Sequence, residues 1–443
     1  MAEMQNNNRN KILRNNILLS GVFKAISLCT SFLIVPVTLA YLDNEPYGIW
    51  MTISSMAFWI YTFDIGLGNG MRNYLTAAIS SKNYDAAHTY ISSTFAMLTA
   101  IALFIGIIVA PLILMLDFNQ ILNTSTISNH HLQLVILVAL MLTLANFVVK
   151  NIGFIYISMQ KYAINDFLTA VSSVVALLAI YLLTKTTESN LLYVVTCFMA
   201  IPVLIFLLGG IPIFVKYSYL RPSVKGINLN FNKSVIQKGL GFFLIQITSC
   251  LIIFGSSNAF ISHFHGPESV TTYNIAYKYF NLLVMGYTIV IAPMWNAYTD
   301  AYVKGERLWI RKTFNRALMI WGGSVLVGSL MLLLCNLFYS FWVGESVFVP
   351  FSVSAATFAF IVFFNLNNCV TYLLNGLNII YVQICTSVIA TAVYLTTIAV
   401  YGKGWGIEGI VLSMTFCYAA MSMIHLYQCK LIIRQEAKGI WKK

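Results

Sequence analysis

The chain has 443 residues, of which 59% are hydrophobic and only 9% charged, against about a quarter charged in soluble domains. So little polar material cannot cover a folded surface in water, which excludes a soluble globular protein. The formal net charge of +12 raises the question of nucleic acid, and the positions of the cations answer it below.

Twelve apolar stretches run along the chain, at 17–41, 47–71, 90–115, 132–157, 165–184, 191–215, 240–262, 271–297, 316–342, 349–374, 379–401 and 406–429. Each suits a helix crossing a hydrocarbon core of roughly 30 Å at about 1.5 Å per residue. The runs lack the period-two alternation of barrel strands, and lipid admits no other spanning structure. The expected fold is an all-α integral membrane protein of about twelve transmembrane helices.

The Asn-rich segment before residue 17 is polar, and the first apolar run exceeds the roughly 7–15 residues of a signal-peptide core, so it reads as an uncleaved anchor. This first span carries Lys24 and, late in it, Pro36. The second span ends in DIGLGNGMRN, where Asp64 precedes Gly66, Gly68 and Gly70 just ahead of Arg72. Glycines at this spacing permit a kink or a close helix approach at an inner gate, with a plain helix end as the competing reading. The motif lacks the Lys-Ser/Thr of a phosphate loop. Lys150 closes the fourth span, and the polar stretch 216–239 then divides the spans six and six. The expected organisation is a six-helix lobe over 1–215, a cytoplasmic linker over 216–239, and a second six-helix lobe over 240–443 with a basic tail.

In the eighth span Lys278 lies about seven residues, roughly 10 Å, below the outer end, and Pro293 comes late in the same span. A charge inside a span costs about 2.5–3.5 kcal/mol on insertion scales, so Lys278 is the leading candidate for a cation in a cavity. Lys24, roughly 10 Å from the cytoplasmic end of the first span, is a weaker candidate, because snorkelling is easier there. The two prolines are candidate bends in their helices. Internal similarity supports a duplication. Arg72–Ala77 can be laid on Trp295–Asp300 at an offset of 223, and Tyr156–Gln160 on Tyr372–Gly376 at 216. Two copies of an even number of helices make a parallel repeat.

If the spans alternate, the basic clusters around Arg14, Arg72, Lys225, Arg311 and Lys438 all fall on one side. The opposite connections hold Asp43, Glu45, Asp117, Glu188, Glu268, Glu345 and Glu408, with only Lys185 and Lys403 as cations. This positive-inside pattern puts both termini in the cytoplasm and explains the net charge without nucleic acid. All eight cysteines lie in or at the ends of spans without a C-x-x-C, and His130, His131, His263 and His265 fall on connections, so no metal site is expected. No nucleophile has an evident base, and no cofactor or enzyme chemistry is indicated.

Four segments, VPVTLAYLDNEPYGIW at 35–50, FDIGLGNGMRNYL at 63–75, GPESVTTYNIAYKYF at 266–280 and PMWNAYTDAYVKGERLWI at 293–310, together resemble the bacterial polysaccharide-export flippases of the Wzx type. YLRPS at 219–223 and the LNG turn at 374–376 extend the match from the first span to the last. That family belongs to the multidrug/oligosaccharidyl-lipid/polysaccharide superfamily. The resemblance implies two six-helix lobes arranged as in the toxin-extrusion transporters, a bacterial inner-membrane location, and alternating access. It also implies an undecaprenyl-pyrophosphate-linked oligosaccharide as substrate for O-antigen or capsule assembly, with membrane lipids and the polysaccharide polymerase machinery as neighbours. The family's cationic lumen carries over to Lys278 within YNIAYKYF, with Lys24 and Arg72 as weaker companions. Coupling to a proton or sodium gradient is open, with Asp64 a candidate participant. Two rival readings are a small-molecule cation-coupled antiporter on the same fold, which needs an acidic residue deep in a lobe, and a membrane glycan polymerase, which needs a large external loop.

Overall fold

The computed structural model describes residues 2–64, 67–228, 230–231, 247–248, 253, 255–344 and 347–442; the side chains of 2–17 and of a few other positions, Asp64 among them, lie outside that description. Long apolar runs with their backbone groups bonded internally make helices. The first nine are α1 (Ala2–Leu42), α2 (Asn44–Ile60), α3 (Leu67–Ser80), α4 (Tyr84–Met115), α5 (Phe118–Leu122), α6 (Asn129–Val149), α7 (Asn151–Ser158), α8 (Tyr162–Thr186) and α9 (Leu191–Lys216). After the segment that is outside the description come α10 (Ser257–His265), α11 (Pro267–Val303), α12 (Arg307–Val343), α13 (Phe351–Gly376), α14 (Tyr381–Tyr401) and α15 (Gly406–Arg434).

Among the described residues ten helical stretches are long and apolar enough to cross a membrane. Two of the twelve expected spans are not among them. The second is broken: α2 stops at Ile60, a 3-10 turn covers Tyr61–Asp64, and α3 restarts at Leu67. The described change of helix type thus precedes the glycines, and Gly68 and Gly70 lie inside α3. The seventh, 240–262, falls mostly outside the described residues, and α10 takes up its last part. On α12, Leu326, Leu333 and Leu337 are 75%, 77% and 73% exposed, a stripe that costs free energy in water and none in lipid.

Local capping follows the sequence. Asn83, Ser128 and Asn190 accept bonds from first-turn amides of α4, α6 and α9, as N-cap residues do. His130 and His131, expected on a connection, are therefore inside the first turn of α6. His263 and His265, expected on an external turn, end α10, where their ring nitrogens meet the Ile121 and Gly402 carbonyls at 3.1 and 2.9 Å. Each ring satisfies a carbonyl at the end of a segment that has no further helical partner to offer.

Contacts divide the chain into two compact units: residues 1–119 with 124–240, and 120–123 with 241–443. In the first, α1 packs on α8, α6 on α4 and α9, and α3 on α4 and α7, around a core that includes Met71, Leu75, Ile91, Ile152 and Ile155. The described start of the 216–239 stretch is bolted to α4. The Ser223 amide donates to Ser92 Oγ at 3.0 Å and the Asn228 amide to Ser93 Oγ at 2.7 Å. Gly226 fits over this contact because a Cβ there would come within 2.7 Å of Ser92 Oγ. In the second unit α13 packs on α11, α12 and α15, with Phe314, Val370, Leu373, Leu374 and Cys429 in the core.

Candidate functional site

The eighth span is longer than its apolar run. α11 starts at Pro267, four residues before that run, because Pro267 is suited to a first helical position and Glu268 to the first turn. Lys278 thus lies eleven residues along the helix, about 16 Å from its start. Asn274, Tyr277, Lys278 and Asn281 stand at i, i+3, i+4 and i+7, which puts them on one face. Ile275, Ala276, Tyr279, Phe280 and Leu283 occupy the other face and are buried.

Neutral polar bonds fix this stripe. Asn274 Nδ2 donates to Asn258 Oδ1 on α10 at 2.9 Å and to the Val270 carbonyl at 2.8 Å. Tyr277 Oη donates to Asn281 Oδ1 at 3.2 Å, and Tyr279 Oη to the Met331 carbonyl on α12 at 3.1 Å. Lys278 itself is half-buried, and among the described residues no carboxylate comes within 4.0 Å of its ammonium. With no acid in ion-pair range among the described residues, the positive charge of Lys278 is open to an anionic ligand.

Lys24 is differently placed. It is 71% exposed, and its Nζ lies 3.9 Å from Asp166 Oδ2 on α8. Ser20, one turn earlier on α1, donates to the same oxygen, and Asn165 Nδ2 donates to Asp166 Oδ1 at 3.4 Å. Asp166 does not stand out in the sequence, because it sits at the edge of the fifth apolar run; a carboxylate in the first residues of a span is the signal that finds it. Lys150 lies at the joint between α6 and α7 with its Nζ 5.1 Å from the centre of the Tyr61 ring.

Gly68 and Arg72 meet at the contact between α3 and α7. A Cβ at Gly68 would come within 2.6 Å of Asn151 Oδ1 and 2.7 Å of the Phe154 ring, so this glycine serves close helix approach. The Arg72 carbonyl accepts from Thr76 Oγ1 at 2.7 Å and Ser158 Oγ at 3.2 Å, and its half-buried guanidinium makes no ion pair among the described residues. Gly70 is within α3, Asp64 ends the 3-10 turn with its side chain outside the description, and Gly66 lies outside the described residues. Pro36 and Pro293 sit inside α1 and α11, each removing one amide donor while its helix continues.

A second polar group in the second unit is one that the sequence pattern does not single out. His425 on α15 is buried, with Nε2 2.8 Å from Thr386 Oγ1 on α14 and Nδ1 3.2 Å from Asn367 Oδ1 on α13. One imidazole ties three helices. Its only signal is a lone histidine in an otherwise apolar run. No group of three or more His, Cys, Asp or Glu among the described residues could hold a metal ion.

These helices make a multi-pass membrane fold. The chain superposes with a TM-score of 0.78 on a multidrug resistance MATE family transporter of the MOP superfamily in its inward-facing conformation, at 15% identity over 94% of this chain and 98% of that one. It superposes with a TM-score of 0.63 on the lipid II flippase MurJ, at 13% identity over 95% and 94%. Its sequence is similar to an inferred O-antigen transporter of Salmonella typhimurium, 23% identical over 86% of this chain and 87% of that one. It is also similar to an inferred O-antigen export protein of Yersinia pseudotuberculosis, 24% identical over 63% of this chain and spanning 64% of that protein's length. No protein-family profile matches. The chain is a multi-pass protein of the bacterial inner membrane with the fold of MOP-superfamily transporters, and its sequence relatives are named as O-antigen transport proteins.

Proposed function

We propose that this protein is a flippase that carries polyprenyl-pyrophosphate-linked oligosaccharide units across the inner membrane for O-antigen or capsule assembly. The observation that carries the reading is the likeness to an O-antigen transporter along 86% of the chain. The polar stripe on α11 supplies the chemistry: Lys278, without an acid partner among the described residues, offers a positive charge for the pyrophosphate.

In this reading the two units are six-helix lobes with both termini in the cytoplasm, as the distribution of charge supports. Access to the substrate alternates between the two sides of the membrane, and the lipid tail stays in the bilayer. The substrate shifts the equilibrium only as far as it binds the two states differently. Arg72 and Lys24 are secondary cations, the latter already paired with Asp166. Pro36 and Pro293 supply flexibility, and Asp64 with Gly66, Gly68 and Gly70 forms the inner gate. The polysaccharide polymerase machinery receives the product, and the protein itself catalyses no covalent step.

The test is deletion of the gene in its host, followed by analysis of lipid-linked intermediates. Accumulation of single repeat units on the cytoplasmic leaflet, reversed by the intact gene, supports the reading. Normal surface glycan with altered drug sensitivity would instead support a cation-coupled small-molecule antiporter on the same fold.

A further inference from the structure

At one end of the second unit a cavity of about 260 Å³ opens between the ends of four helices. Its floor is apolar, formed by Ile310, Leu377, Ile379 and Ile432, and its rim carries Arg307 and Lys442. No carboxylate is among the lining residues. Neither cation has an acid partner among the described residues. The nearby sequence adds Lys304, Arg311, Arg434 and Lys438 against Glu306 and Glu436, a net positive surround.

The last residues of the chain are built into this site. Gln428, fully buried on α15, donates through Nε2 to the Trp441 carbonyl at 3.1 Å, and the Trp441 ring meets Tyr427 edge-on at 5.4 Å. A 3-10 turn at Gly439–Lys442 then presents Lys442 at the cavity rim. Tyr302, Trp309 and Tyr427 are 45%, 40% and 55% exposed around the same end of the unit. Exposed Trp and Tyr beside cations mark the depth at which a bilayer's head groups lie.

We infer that this cavity binds the phosphodiester head group of an anionic glycerophospholipid, with Arg307 and Lys442 on the phosphate and the isoleucine floor under the start of the acyl chains. Arginine and lysine recognise phosphate, and basic pockets at helix ends at the membrane surface take such head groups. The volume of about 260 Å³ falls just below that of drug-sized ligand pockets, which begin at roughly 300 Å³. It suits a head group and is too small for an oligosaccharide pyrophosphate. The site is separate from the Lys278 stripe and does not depend on which substrate the protein moves.

The experiment is native mass spectrometry of the purified full-length protein titrated with phosphatidylglycerol or phosphatidylcholine in detergent, with and without millimolar inorganic phosphate. The wild type is expected to retain phosphatidylglycerol in preference to phosphatidylcholine, and phosphate is expected not to displace it. K442Q should weaken phosphatidylglycerol retention about fivefold, equivalent to about 1 kcal/mol per cation, and R307Q/K442Q should remove the preference. Lys442 is exposed near the chain end, so K442Q tests the site even if the double variant folds poorly. Equal retention by wild type and K442Q, or no preference in the wild type, overturns the proposal. Displacement by inorganic phosphate also overturns it, since that would mark a site for the free ion.

Discussion

Thr299 Oγ1 reaches the Gly376 carbonyl at 2.7 Å, as well as the Trp295 carbonyl one turn back on its own helix at 3.2 Å. Thr76 does the same in the first unit, with the Arg72 carbonyl at 2.7 Å and the Ser158 carbonyl at 3.4 Å. These threonines are equivalent in the internal alignment at an offset of 223, but their acceptors are not, since Ser158 falls on Leu374 at the offset of 216. Thr299→Val is expected to destabilise the protein by about 1 kcal/mol through loss of that bond, and Thr76→Val by less, because its reach to Ser158 is longer. Thermal unfolding of the purified variants checks the order.

Gly376 is expected to be intolerant of any side chain. A Cβ there would come within 2.8 Å of the Trp295 carbonyl oxygen, a backbone atom that cannot move aside, so Gly376→Ala should cost about 1–3 kcal/mol by overpacking. At Gly286, in the middle of α11, a Cβ would meet nothing within 4 Å, and Gly286→Ala should be neutral or stabilising. Unfolding temperatures of the pair decide whether contact, and not the loss of glycine itself, sets the effect.

His425→Ala should destabilise the second unit by about 1–3 kcal/mol, since Asn367 and Thr386 would lose a buried partner. Proteolysis of the folded protein checks it: cleavage within α13–α15 should rise while the first unit stays resistant. Unchanged cleavage would mean the imidazole is not a tie between those helices.

The Lys24 end of its pair with Asp166 is open to solvent, and pairs screened in this way contribute only about 0–1 kcal/mol. Lys24→Ala should therefore leave the unfolding temperature nearly unchanged, whereas Asp166→Asn, at a half-buried carboxylate that also accepts from Ser20, should lower it. Glycan export by Lys24→Ala should fall far less than by Lys278→Ala, because the Lys24 charge is already answered. Comparable losses would place Lys24 on the substrate path.

Much of the fold was legible because apolar length and helix geometry are tied by the bilayer: ten of the expected runs are long apolar helices. The 3-10 turn at Tyr61–Asp64 was not legible, because the glycines that drew attention follow it and two of them, Gly68 and Gly70, are held inside α3, Gly68 against Asn151 and Phe154 of α7. Lys278 was legible as a charge in an apolar run. Its polar neighbours Asn274 and Asn281 became meaningful only once α11 was known to be continuous, since a helical face needs a fixed register. Asp166 and His425 were missed because their roles rest on partners 146 and 58 residues away.

The most direct test of the account is flipping of a fluorescent polyprenyl-pyrophosphate oligosaccharide in proteoliposomes containing the wild type, Lys278→Ala or Lys278→Arg. The account predicts transport by the wild type, loss of at least about tenfold in Lys278→Ala, as expected when a charge-assisted bond of about 1.5–3 kcal/mol is removed, and substantial recovery in Lys278→Arg. Equal rates for wild type and Lys278→Ala, with both proteins folded and inserted, would contradict it.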